Sequence, residues 1–223
     1  MRRTIKSFVL RAGRVSNRQQ FALDNWLKNY ELPIDGKPWD MVSIFGREAP
    51  VVVEIGFGMG ASLLTMAKNH PEMDFVGIEV HRAGIGSLTA DLHDEGVTNV
   101  RLVTHDAVEV FKQQLPHNSI STVQIFFPDP WHKKRHNKRR LIQPEFIKLV
   151  VECLKPAGII HCATDWQDYA EHIHSVLSAE INLSNSQKDG GFSPRPATRP
   201  LTKFEQRGTR LGHGVWDLIY LKC

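Results

Sequence analysis

Val51-Val52-Val53-Glu54-Ile55-Gly56-Phe57-Gly58-Met59-Gly60 is the stretch that decides the fold. Five residues of buried-strand character run into three glycines, and residues 61–69 then read as a helix. Glycine permits a tight turn and lets a ligand approach the backbone closely. Downstream, strand-like and helix-like segments alternate. Residues 75–80, 100–104, 120–127 and 158–163 read as strands. Residues 82–95, 106–115 and 144–154, and a segment ending near residue 178, read as helices, with Gly84 and Gly86 unfavourable inside the first of these. Pro144 suits a first helical turn. Strict alternation predicts an α/β fold: a mostly parallel sheet of seven strands with helices on both faces. Residues 201–206 and 215–221 look like strands without an intervening helix, so the tail is expected to close as an antiparallel hairpin. Upstream, residues 1–40 read as a basic arm and a short helix, and residues 41–223 as the main domain.

The 223 residues are 41% hydrophobic and 23% charged. That balance supports an ordinary core and excludes collagen-like and wholly disordered chains. No apolar run reaches the roughly 18 residues of a membrane helix. Lys6 and Arg11 interrupt the start too early for a secretory signal. Cys153, Cys162 and Cys223 are odd in number and widely spaced, which suits a reducing, cytoplasmic setting rather than a disulfide scaffold.

Charge is segregated. Of 28 Lys/Arg and 24 Asp/Glu, residues 1–30, 131–148 and 195–210 hold 19 and three, leaving nine basic and 21 acidic residues elsewhere. Three basic segments on an acidic body suit a polyanion, most often nucleic acid, although solvated loops would give the same pattern.

Three acids sit where parallel strands end. Glu54 lies two residues before Gly56, where a carboxylate repels a pyrophosphate and suits a cationic ligand. Glu79 ends the second strand and can accept from ribose hydroxyls. Asp106 follows the third strand, within reach of an adenine amino group, and could equally cap the next helix. Gly56, Gly58 and Ala61 also fit a dinucleotide fingerprint, so a nucleotide-dependent oxidoreductase is a second reading. Together the glycine loop and the three acids resemble class I S-adenosylmethionine-dependent methyltransferases. In that superfamily the first acid lies near the amino-acid part of the cofactor, the second holds the ribose and the third the adenine.

The fourth strand narrows the resemblance. Phe127-Pro128-Asp129-Pro130-Trp131, the basic run after it, Thr202-Lys203-Phe204-Glu205 and the arm Ser7-Phe8-Val9-Leu10-Arg11 together resemble bacterial tRNA (guanine-N7-)-methyltransferases along essentially the whole chain. Two prolines restrict Asp129 and hold its carboxylate at the strand end. Guanine N7 carries a lone pair and no proton, so its methylation needs no general base. A fixed carboxylate can orient the guanine and favour the positive charge that grows on the ring. Residues 131–140 hold six Lys/Arg, two His and no acid, a pattern suited to phosphates. His132 and His136 have zinc-compatible spacing but no evident third ligand.

The resemblance implies that Glu54, Gly56, Gly58, Gly60, Glu79, Asp106 and Asp129 bind S-adenosyl-L-methionine, with Asp129 at the reaction centre. It implies that Lys133, Asp165 and Thr202, Lys203, Phe204 and Glu205 line the substrate side, and that Arg135, His136, Asn137, Lys138, Arg139 and Arg140 touch RNA. For Asp165 the residues alone also allow a helix N-cap. The expected partner is tRNA, with no membrane and no obligatory protein partner. A non-catalytic RNA-binding protein on the same fold is a third reading, which would bind tRNA without methylating it.

Overall fold

The computed structural model describes Phe8, residues 13–201, Glu205 and residues 214–223. Of the expected arm, Ser7, Val9, Leu10 and Arg11 lie outside the described residues, as do Thr202, Lys203 and Phe204.

Seven strands form one sheet: β1 (Val51–Ile55), β2 (Asp74–Ile78), β3 (Val100–Val103), β4 (Ile120–Phe126), β5 (Leu154–Thr164), β6 (Leu183–Asn185) and β7 (Trp216–Lys222). Their order is β3-β2-β1-β4-β5-β7-β6. β1 to β5 are mutually parallel, and β7 runs antiparallel to both β5 and β6. The expected antiparallel closure is therefore present; of the strand expected at 201–206, residues 202–204 and 206 lie outside the described residues. Leu201 is irregular and Glu205 is helical. Glu205 turns inward to an arginine instead of joining the ladder, and the short β6 takes the neighbouring place.

The helices are α1 (Asn17–Asn25), α2 (Met41–Phe45), α3 (Ala61–Asn69), α4 (Arg82–Asp94), α5 (Ala107–Gln113), α6 (Pro144–Cys153) and α7 (Gln167–Ser178). They cover both faces. Val51, Val53 and Ile55 face one core with α5, α6 and α7, while Val52 faces another with α3 and α4. Alternation along β1 places Glu54 on the Val52 side, under the glycine turn.

The two glycines that weaken α4 have packing reasons. A Cβ on Gly84 would lie 2.0 Å from the carbonyl oxygen of Gly58, and one on Gly86 would lie 2.7 Å from that of Gln19 in α1. Gly84 thus lets α4 sit against the glycine loop, and Gly86 lets α1 sit against α4. The contact is reinforced by Arg18, which pairs with Asp91 and Asp94, and by Trp26 stacked on His93. Beyond α1, the chain runs along the free side of β3. Leu32 N–H donates to Leu102 O, and Leu102 N–H donates to Tyr30 O, both at 2.9 Å. Residues 17–32 are thus packed onto the sheet and its helices.

Candidate active site

The chain leaves β1 toward one side of the sheet, through β2 and β3, and returns to β4 on the other side of β1. At such a reversal the loops above β1 and β4 diverge and leave a crevice. Its walls come from the ends of four strands: Ile55 and Gly56, Ile78 to His81, His105 and Ala107, and Phe126 to Asp129, with Phe8 at the rim.

Gly56, Gly58 and Gly60 have φ of 76°, 59° and 86°, the left-handed region that glycine tolerates. The loop is fixed by Glu79. Its Oε2 accepts from Gly58 N–H at 2.9 Å, and its Oε1 accepts from Val80 and His81 N–H at 2.7 and 3.1 Å. The carboxylate therefore ties the first strand–helix turn to the second, and it lines the crevice.

Glu54 is buried, and its Oε2 has no hydrogen-bond partner. Burial, and secondarily the nearby Glu79, push its pKa up from 4.5 to about 8. A buried acid held near neutrality without a partner is suited to a cationic group. Together with the glycine cradle, it fits the sulfonium and ammonium charges of S-adenosyl-L-methionine. The sign of the linkage is testable. Between pH 4.5 and 8 the folded state keeps a proton that the unfolded state has released. The protonated carboxyl's contribution is complete below 4.5 and is lost as pH rises through about 8. Glu54→Gln should therefore melt higher than the unmutated protein at pH 8.5, with the gap narrowing toward pH 5, and should bind the methyl donor less tightly. A gap equal at both pH values in thermal scans would refute the assignment.

Asp106 takes the capping position that its sequence also allowed. Its Oδ1 accepts from Val108 N–H at 3.0 Å and caps α5. It lines an adjoining cavity with Lys138 and Arg139, while its neighbours His105 and Ala107 line the crevice. Leu141 lies between the two cavities and lines both.

Asp129 is exposed at the crevice mouth. The prolines are only part of what holds it. Phe127 and Trp131 have φ of 50° and 49°, a region that costs bulky residues energy. Phe127 is held there by its N–H, which donates to Ala163 O at 2.7 Å. Trp131 packs its ring under the Arg139 guanidinium at 4.8 Å and edge-on to His136 at 5.9 Å. The loop that presents Asp129 is thus bracketed by two strained aromatics.

The basic run forms a 3-10 segment, Lys134–Arg139. Lys133, Arg135 and Lys138 are exposed, while His136, Asn137 and Arg139 are half-buried. Burial and the surrounding cations hold the His136 pKa below its ordinary value, which keeps the ring neutral. His132 turns away from His136 and packs edge-on against Trp166 at 4.2 Å, so the two imidazoles do not share a ligand position.

Arg140 corrects the expectation of RNA contact. It is buried, pairs with Asp168, donates from Nε to Pro130 O at 2.9 Å and lies 4.8 Å over Tyr169. Its role is to anchor the loop. Glu205 is likewise buried, on Arg199, and is not a surface contact. Asp165 does not cap α7, whose N-cap is Trp166. It opens instead onto a cavity shared with Trp166, Asp168 and Trp216. Sequence reasoning missed Trp166, a tryptophan 37% exposed beside Asp165. The Asp-Trp pair at the end of β5 was its available signal.

A family model described as a putative methyltransferase matches residues 48–218. A tRNA (guanine-N(7)-)-methyltransferase of Legionella pneumophila (strain Corby) is 65% identical over the full length of both chains. The chain belongs to the tRNA (guanine-N(7)-)-methyltransferase family. A more distant member, from Hydrogenovibrio crunogenus, is 54% identical over 98% of this chain and 91% of its own. Among solved structures, the 16S rRNA methyltransferase KamB superposes with a TM-score of 0.60 at 14% identity, covering 83% of this chain and 94% of that one. At that identity the likeness is one of fold: the family's Rossmann-like sheet is that of class I methyltransferases. Among the described residues no helix is long and apolar enough to cross a membrane.

Proposed function

We propose that the protein transfers a methyl group from S-adenosyl-L-methionine to N7 of a guanine in tRNA, giving 7-methylguanosine, and that this guanine lies in the variable loop. The observation that carries the reading is the joining, in one crevice, of an acidic glycine cradle suited to a cationic donor and a rigid Asp129 loop continued by exposed cations. The donor supplies an electrophilic methyl carbon. The N7 lone pair forms the new N–C bond as the S–C bond breaks, and the sulfur leaves as a neutral thioether. No proton moves, so the protein needs no base.

The residues then act by placement. Glu54 offers its unpartnered oxygen to the donor's positive end. Glu79 holds the glycine loop in its cradle shape and faces the ribose. Asp129 accepts from guanine N1–H and the exocyclic amine, turning N7 toward the methyl carbon and favouring the charge that develops on the ring. In A-form RNA the deep groove hides N7, so the base is taken from a loop or turned out of its stack. The cytoplasm is the compartment consistent with free, scattered cysteines.

The test is to incubate the protein with unmodified tRNA and labelled donor, digest to nucleosides and identify the product. Label in 7-methylguanosine supports the reading. Label on an amino group or ribose, or no label, overturns it. An oxidoreductase would instead bind a nicotinamide cofactor and leave the RNA unlabelled.

The exposed cations give a separate expectation. Arg135 and Lys138 changed together to Ala should weaken tRNA binding and flatten the slope of log affinity against log salt by about one unit per lost phosphate contact. Donor affinity should not change, because the glycine cradle is untouched. Arg140 is left in place, since its removal would unpin the loop. Parallel salt slopes would move the phosphate grip to the N-terminal arm or to residues 195–210.

A further inference from the structure

Arg199 is among the largest side chains to be fully buried, at 1% exposure, and it is charged. Its guanidinium makes two forks at once. Nη1 and Nη2 donate to Glu205 Oε2 and Oε1 at 2.6 and 2.9 Å. Nε and Nη2 donate to Asp217 Oδ1 and Oδ2 at 2.8 and 2.9 Å. Asp217, on β7, also pairs with His161 Nε2 of β5 at 2.7 Å. The same guanidinium sits 5.9 and 5.7 Å from the rings of Phe126 and Phe127. Its backbone closes a turn, with Arg199 N–H donating to Pro196 O at 3.1 Å and Arg195 Nη1 donating to Arg199 O at 2.9 Å.

Burying one cation between two carboxylates is a poor way to add stability, because desolvation offsets most of the attraction. It does fix geometry, since a planar fork accepts each carboxylate in one orientation. What it fixes is specific. Glu205 is the last residue of Thr202-Lys203-Phe204-Glu205. Phe127 launches the loop that carries Asp129 two residues later. Arg199 touches both, and β7 and β5 hold it from behind.

We infer that Arg199 is a positioning residue for methyl transfer: it locks Glu205 to the start of the Asp129 loop and so sets the width of the guanine site. The inference rests on the proposed activity. A displacement of about 1 Å in a reacting pair can cost about 100-fold in rate. Arg199→Lys keeps the charge but cannot make two forks. It should slow single-turnover methylation by about 100-fold, with donor affinity within about threefold of the starting protein. Glu205→Gln should reproduce the rate loss, and the two changes together should cost little more than either alone.

A purely structural role predicts otherwise, and Lys222→Met separates the two. At the end of β7 remote from Asp217, Lys222 Nζ donates to Asn118 Oδ1, Val151 O and Leu154 O at 2.9, 2.7 and 2.7 Å. Lys222→Met should lower the melting temperature while leaving the single-turnover rate of the folded protein within about threefold, because it cuts contacts that set stability rather than site width. If Arg199→Ala folds, dilute guanidinium chloride should restore part of its rate and ammonium chloride should not. Rates are compared at a temperature where circular dichroism shows each variant folded. The inference is overturned if folded Arg199→Lys methylates at the starting rate. It is also overturned if Arg199→Lys and Lys222→Met lose rate in proportion to their loss of stability. If Arg199→Lys does not fold, Glu205→Gln decides alone, and an unaltered rate overturns it. Should the unmutated protein make no 7-methylguanosine, the proposed activity fails first, and the variants are then not the cause.

Discussion

Asp129→Asn should slow single-turnover methyl transfer by about 100- to 1,000-fold while donor affinity stays nearly intact. The substitution keeps the size of the side chain and the strained frame of Phe127 and Trp131. It replaces one acceptor oxygen by a donor that faces guanine N1–H, and it removes the negative charge that favours a cationic ring. The loss therefore falls on the chemical step. Donor affinity is spared because Glu54, buried beneath the glycine turn, and Glu79 in the crevice wall are unaltered. The pH profile adds a second check. With no proton to remove from N7, log rate should not rise with unit slope near neutrality in either protein. Such a slope in the unmutated protein, abolished by the substitution, would make Asp129 an essential base and overturn the mechanism.

Gly84→Ala should be the most damaging added methyl group among the described glycines. Its Cβ would stand 2.0 Å from the Gly58 carbonyl oxygen. Both partners are backbone, one at the start of α4 and one in the cradle, so no side chain can swing aside. Relief requires α4 to lift from the loop, which would break the Glu79 bond to Gly58 N–H. Overpacking costs about 1–3 kcal/mol even where neighbours yield, and more where they do not. The expected result is a melting temperature lower by many degrees, or insoluble protein, with donor binding lost in any folded fraction. Gly13→Ala is the control, since a Cβ there meets nothing within 4 Å. Equal behaviour of the two variants in thermal scans and donor titrations would refute the account.

The parallel half of the sheet was legible because its strands are apolar runs punctuated by glycine, and Pro144 marks the start of α6 where it was expected. β6 was not. Leu183-Ser184-Asn185 is too short to show a period and is a strand only because β7 offers it an edge. Of the strand expected at 201–206, only Leu201 and Glu205 are among the described residues. Local β propensity could not reveal that Glu205 is drawn inward by a buried arginine. Within the site, Gly56, Glu79 and Asp129 line the crevice. A strand-end acid can equally cap the next helix, and capping α5 engages Asp106. Six Lys/Arg within residues 133–140 look alike in sequence, yet Arg140 is interior and Arg135 is not. The distinction comes from Tyr169 and Asp168 on α7, far along the chain. A charge count sees composition, whereas burial is decided by residues that folding brings together.

The run of Tyr30 to Leu32 along β3 bears on how the protein stays dispersed. β3 is a terminal strand of the sheet, and its outer side would otherwise present unpaired N–H and C=O groups to any second chain. Leu102 spends both its groups on Tyr30 and Leu32. At the opposite end the last strand is three residues long and carries Ser184 and Asn185. A parallel sheet assembles slowly and shows its borders while it does so. Closing one border with the chain's own N-terminal segment, and keeping the other short and polar, leaves little template for fibrillar self-association.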